Sequence, residues 1–106
     1  MRKVIGLWMG IMISGAVLMA ADAAAGKVAY DRACKSCHGV DGAPNEKIAA
    51  AMKVEMRHLG ANEVQALSDA QLKTIITEGK GKMKPVRSIT ASDADNVVAY
   101  VRSLKH

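Results

Sequence analysis

The stretch Cys34-Lys35-Ser36-Cys37-His38-Gly39 decides how this chain is read. It holds both cysteines of the 106-residue sequence, with two residues between them and a histidine directly after the second. A disulfide across so small a loop would remove little entropy from the unfolded chain and tie together nothing distant. A structural bridge therefore explains the pair poorly, and the question becomes what chemistry needs two thiols and an imidazole so close together.

The rest of the chain narrows the answer. Its length allows one small domain, and its first residues have the order of an export signal. Arg2 and Lys3 form a short basic start, and Val4 to Ala21 is an uncharged run of 18 residues. Ala21-Asp22-Ala23 then offers small residues at the two positions a leader peptidase reads. Cleavage is placed after Ala23, with Ala20, Ala21 and Ala25 as rivals. This makes residues 1–23 a signal peptide and 24–106 the domain. An uncleaved membrane anchor is the alternative, since 18 apolar residues approach the length of a spanning helix. Cleavage after Ala23 changes the net charge from +5 to +4 and takes away the lone Trp8. Tyr30 and Tyr100 are then the only aromatics, and there is no phenylalanine. A domain so small and so poor in large side chains usually needs a staple: a disulfide, a metal or a cofactor.

Four helices are expected and no convincing strand. The first runs from Gly26 to about Lys35, with Gly26, Tyr30 and Cys34 on one face. Ile48, Met52, Met56 and Leu59 recur at helical spacing, giving a second helix from about Asn45 to Arg57. Ser68 and Gln71 can form a capping box for the third, whose apolar stripe is Leu72, Ile75 and Ile76 and whose stop is Gly79. Thr90 and Asp93 open the fourth, followed by Ala94, Val97, Val98, Val101 and Leu104, with Arg102 and Lys105 near its C-terminal end. Between the last two lies GKGKMKPV at 79–86, where two glycines and a proline forbid a helix. Met83 stands there among lysines, outside any periodic stripe.

Three chemistries compete for the cysteines. A thiol–disulfide pair uses the same spacing but wants a strand–helix context. A zinc site wants four ligands, and only His58 or His106 remains to complete Cys34, Cys37 and His38. Covalent haem attachment uses all three residues at once. Each thiol adds across one vinyl group, and the adjacent imidazole lies beneath the iron.

The chain resembles the class I monohaem c-type cytochromes, of the small exported bacterial kind, across nearly all of the mature region. Gly26, Tyr30 and Cys34 match the helix that enters CxxCHG, and Asp41-Gly42 follows as in many bacterial members. GKGKM is similar to the family's methionine loop, and Thr90 to Leu104 to its last helix. The resemblance implies an all-α cytochrome c fold, about four short helices around one covalently bound haem c. It implies Cys34 and Cys37 as thioether sites, with His38 and Met83 as axial iron ligands. It also implies a close crossing of the first and last helices, which Gly26 would permit. Three departures stand out. Lys84 separates Met83 from Pro85. Pro44 lies only six residues beyond His38, so no obvious carbonyl is placed to accept the ring N–H. No tryptophan of the mature region can bond a haem propionate, which leaves Arg57 or His58. Met52 and Met56 are internal rivals to Met83, read by default as core or haem-contact residues. His106 is expected in solvent.

Methionine ligation raises the haem potential and fills the last coordination position. The expectation is a soluble, monomeric, periplasmic electron carrier and no enzyme, with Leu59, Leu67, Leu72, Ile75, Ile76 and Val86 lining the ring. A peroxidase or gas sensor with a labile distal ligand is the alternative. Lys80, Lys82, Lys84 and Arg87 would steer it to redox donors and acceptors with acidic docking surfaces, unless these side chains simply face water. Nucleic acid is not expected, for want of aromatic platforms.

Overall fold

The structure, a computed structural model, describes residues 21–106; most of the expected leader lies outside them. Six helices occur among the described residues. Helix α1 (Ala23–Ala33) starts at Asp22, whose carboxylate accepts the N–H groups of Ala24 and Ala25. It ends earlier than the expected Lys35. The chain turns at Cys34 (φ −123°) and begins a separate single turn, α2 (Lys35–His38), closed by Gly39 at φ 75°. The CxxCH residues thus sit on their own turn rather than along the end of α1.

Helix α3 (Glu46–Met52) is the main correction to the expected pattern, which ran on to Arg57. Lys53 adopts the left-handed conformation (φ 57°). Lys53 N–H bonds the Ala50 carbonyl, and Val54 N–H reaches back to Ala49. This is the paired closure that usually needs glycine at the left-handed position, so the sequence carries no stop signal there. From Val54 to His58 exposure alternates residue by residue, with Met56 half-buried and its neighbours Glu55 and Arg57 exposed. Met56 therefore belongs to an extended segment of period two, not to a helical stripe.

A second single turn, α4 (Asn62–Gln65), has no capping side chain and no sequence signal. Helices α5 (Asp69–Glu78) and α6 (Ala91–Ser103) match expectation closely. Both begin with reciprocal capping boxes, Ser68 with Gln71 and Thr90 with Asp93. No named strand occurs among the described residues; a lone antiparallel bridge joins Lys80 and Met83. No helix of the described residues is long and apolar enough to cross a membrane.

Helix α1 packs across α6, and α5 packs beside it. A side chain on Gly26 would overlap the Asn96 carbonyl, so only hydrogen lets the two backbones meet. Tyr30 is wholly buried, and its ring lies 4.9 Å from that of Tyr100. Ala29, Leu72, Ile76, Ala94, Val97, Val98 and Val101 form the connected core. Gly26→Val should force the helices apart and cost about 3 kcal/mol, the upper end for overpacking. The readout is a lower denaturant midpoint at unchanged m-value.

Polar side chains tie down the segment that lacks a long helix. The Arg102 guanidinium donates to the carbonyls of Gln65 (2.9 Å) and Leu67 (2.6 Å) and pairs with Asp69. The Gln65 amide donates to the carbonyls of Leu59 (2.9 Å) and Val101 (3.0 Å). Arg102 therefore does more than complement a helix dipole: it staples α6 to the α4–α5 connection.

Candidate functional site

Cys34, Cys37, His38 and Met83 all line one cavity of about 1030 Å³. Its walls include Leu59, Leu67, Leu72, Ile75, Ile76 and Val86, the six residues expected to line a ring. Met52 and Met56 also reach it, as default core-facing residues would. Beside it lies the packed core of Leu72, Ile76, Val97, Val98 and Val101, all of which line it too.

Local hydrogen bonds fix the CxxCH turn. The Cys34 carbonyl accepts from Cys37 N–H (3.2 Å) and His38 N–H (3.0 Å). The buried Tyr30 hydroxyl lies 2.7 Å from the Gly39 carbonyl and 3.1 Å from that of His38, and donates between them. Asn45 works from the other side. Its backbone N–H bonds the Cys37 carbonyl and its amide donates to Ser36, while its side-chain oxygen caps α3. The motif's backbone is thus held by α1 and by the start of α3. The roles of the Tyr30 hydroxyl and of the Asn45 amide were not anticipated; a tyrosine four residues before the first cysteine is the signal that could have found the former.

Burial shapes the chemistry of these groups. It pushes the Cys34 thiol up to about 11, with the nearby Cys37 adding to the effect. Such a thiol is a poor free nucleophile at neutral pH, unlike the low-pKa cysteine of a thiol–disulfide enzyme. Burial lowers the pKa of His38, favouring the neutral imidazole that binds a metal. His38 Nδ1 is buried and has no hydrogen-bond partner among the described residues. Pro44 does not supply the acceptor, so ring orientation rests on the backbone contacts and on packing.

Met83 is presented by a tight hairpin. Lys80 N–H bonds the Met83 carbonyl (2.8 Å), and Met83 N–H bonds that of Lys80 (2.9 Å). Gly81, at φ 57°, takes the first central place of the turn, where two-residue hairpins of one type need a positive φ. Val86 N–H bonds the Ile76 carbonyl (2.9 Å), which anchors the far end of the loop on α5. The Lys82 ammonium donates to the Met52 carbonyl (3.1 Å) and links the loop to the end of α3.

Arg57, Lys80, Lys82, Lys84 and Arg87 border the cavity, with Glu55 and Glu63 among them. Arg57 pairs with Glu63 at 3.2 Å. Of the two residues suggested for a propionate, Arg57 is at the cavity. His58 is engaged elsewhere, accepting the Gly60 N–H at Nδ1 (2.9 Å) and meeting His106 edge-on at 4.5 Å. His106 is exposed, as expected, yet its backbone N–H bonds the Gly60 carbonyl (3.2 Å).

No group of three or more His, Cys, Asp or Glu among the described residues could hold a metal ion. This removes the support for a zinc site. The residues present do fit a haem: two adjacent thiols, a neutral imidazole with an unmet buried nitrogen, a thioether on a fixed loop and an apolar cavity. Tyr30→Phe should leave the carbonyls of His38 and Gly39 without their buried donor, costing about 1–3 kcal/mol. A lower thermal midpoint, with haem still covalently attached, would check it.

A family model described as cytochrome c oxidase, cbb3-type, subunit III matches residues 21–101. The chain is also similar to cytochrome c-554(547) of Halothiobacillus neapolitanus. The two are 32% identical over 92 residues, spanning 81% of this chain and 100% of that protein. Among solved structures it is similar to the KustC0563 c-type cytochrome, with a TM-score of 0.67 and 32% identity over 76% of this chain and 98% of that one.

Proposed function

Because this chain belongs to the c-type cytochromes, in the family of cbb3-type cytochrome c oxidase subunit III, and carries covalently bound haem c, we propose that it is a soluble periplasmic electron carrier with His38 and Met83 as axial ligands. The observation that carries this reading is the convergence of Cys34, Cys37, His38 and Met83 on one apolar cavity. Cys34 and Cys37 hold the cofactor by thioether bonds. Neutral His38 offers an imidazole nitrogen from a turn fixed by Tyr30 and Asn45. Met83 offers its thioether from a hairpin fixed at both ends. When bound, the haem supplies a one-electron couple whose potential methionine ligation raises. The apolar walls would keep water from a bound haem, and His38 and Met83 together would leave no position for peroxide or a gas. A carrier, rather than an enzyme, follows from that closure.

The basic residues that border the cavity would suit an acidic redox partner docking there. Arg57 is the residue best placed for a propionate. The chain acts as a monomer that donates to and accepts from other redox proteins.

The test is the absorption spectrum of the exported protein, oxidised and then reduced with dithionite. Expected are haem retained on acid–acetone extraction, sharp reduced bands, and the weak far-red band of methionine on ferric iron. Rapid binding of cyanide by the ferric form, or of carbon monoxide by the reduced form, would favour an enzyme or sensor instead. The association rate with an acidic partner should fall steeply as ionic strength rises. An unchanged rate would remove the steering role of Lys80, Lys82, Lys84 and Arg87.

A further inference from the structure

Asp22 ties the start of the domain together. Its carboxylate Oδ1 accepts the N–H groups of Ala24 (2.9 Å) and Ala25 (3.2 Å), two donors with no partner inside α1. Its carbonyl accepts from Gly26 N–H (2.9 Å). Its own N–H donates to Asn96 Oδ1 on α6 (2.9 Å), across 74 residues of sequence. Asn96 is the residue whose carbonyl the Gly26 backbone meets at the helix crossing. One residue thus caps α1 and pins its first turn to α6 beside the close approach of the Gly26 and Asn96 backbones.

Placing the leader cut after Ala23 would remove all four of these bonds. It would also put the new α-ammonium on Ala24, inside the first turn, where the helix dipole already presents positive charge. A cut before Asp22 keeps a carboxylate at that end. It also leaves the Asp22 nitrogen beside the Asn96 side-chain oxygen, where an N–H or an α-ammonium donates equally well. The family match, over residues 21–101, takes in Asp22.

We infer that leader processing falls before Asp22, after Ala20 or Ala21, so that Asp22 is the N-cap of the mature protein. Water adds across that peptide bond under a leader peptidase, leaving a carboxylate on the alanine and an ammonium on the released chain. Each cut keeps alanine at the position next to the bond. The leader peptidase reads an extended chain, for which Ala21-Asp22-Ala23 offers one more small residue. The folded domain supplies the contrary consideration, which no reading of spacing contains. Processing here rests on the export reading, and the experiment separates the two.

The experiment is intact-mass analysis with N-terminal sequencing of the haem-loaded protein from a periplasmic fraction. An N-terminus at Ala21 or Asp22 is the expected result. An N-terminus at Ala24 or Gly26 would overturn the inference and leave export standing. A mass that includes Met1 would overturn both. As a second measurement, two forms are exported behind a leader cut at a defined site, one beginning at Asp22 and one at Ala24. The Asp22 form should melt higher by roughly 4–8 °C, the shift expected from one good cap in a domain of this size. Asn96→Ala should lower the Asp22 form and leave the Ala24 form nearly unmoved. Equal melting of the two forms would overturn the inference.

Discussion

A Met83→Ala chain should mature with its haem still attached through Cys34 and Cys37, yet without the far-red band. The reduction potential should drop by a sizeable part of the roughly 0.8 V range that axial ligands span. Cyanide and carbon monoxide, which the parent protein should bind poorly, should then bind readily. The argument is local. Met83 is held by paired backbone bonds to Lys80, and the loop beyond it is held at Val86. Alanine keeps that hairpin and removes only the thioether. Met52 and Met56 line the same cavity, but Met52 ends α3 and Met56 lies on the extended segment that follows it. Persistence of the far-red band in Met83→Ala, and its loss in a Met52 or Met56 variant, would move the distal ligand.

Replacing both Cys34 and Cys37 by alanine should have the larger structural effect. The chain should lose the red colour and most of its far-UV helical signal at 25 °C. The reason is the thin core. Among the described residues the largest fully buried side chains are Tyr30 and Val97, with Leu72, Ile76, Val98 and Val101 nearly as buried. The other connected members include two alanines, and Leu59, Val64, Leu67 and Val86 are only half-buried at its edge. A cavity of about 1030 Å³ stands where a larger domain would have packed side chains. Native stability of small domains is about 5–15 kcal/mol in total, and large-to-small changes cost about 24 cal/mol per Å³ of cavity left. Even a tenth of this volume left unfilled therefore costs a few kcal/mol, a large share of that margin. A cysteine-free chain that stays helical and melts cooperatively would show that α1, α5 and α6 suffice alone.

Much of this was legible without coordinates. The close approach at Gly26 and the six apolar wall residues follow from the resemblance to the c-type cytochromes, while the caps at Ser68 and Thr90 and the stripes of α5 and α6 follow from spacing and residue type. The latter are local rules, so the sequence carries them explicitly. The end of α3 was not legible. Periodicity through Ile48, Met52 and Met56 reads as one helix, and no glycine marks Lys53 as its left-handed stop. The single turn α4 was missed for a related reason, since it has no side-chain cap. His58 also misled: its chemistry suited a propionate, while its position ties it to Gly60 and His106.

Spacing alone left thiol, zinc and haem chemistries open for the cysteines, and the resemblance to the c-type cytochromes chose among them. The sequence places two thiols and an imidazole on one short turn because their spacing is local, whatever the rest of the chain does. It also determined the helical class, through periodic stripes and reciprocal caps. Which distant groups line the cavity was set by long-range packing. Whether Met83, Arg57 or His58 reaches the cavity depends on how α1 and α6 cross and where the loops between them are pinned. Those pins are long-range hydrogen bonds, from Arg102 to Gln65 and Leu67 and from Asp22 to Asn96. Their partners are mostly backbone groups, which every residue carries alike, so no pattern of side chains in the sequence announces them.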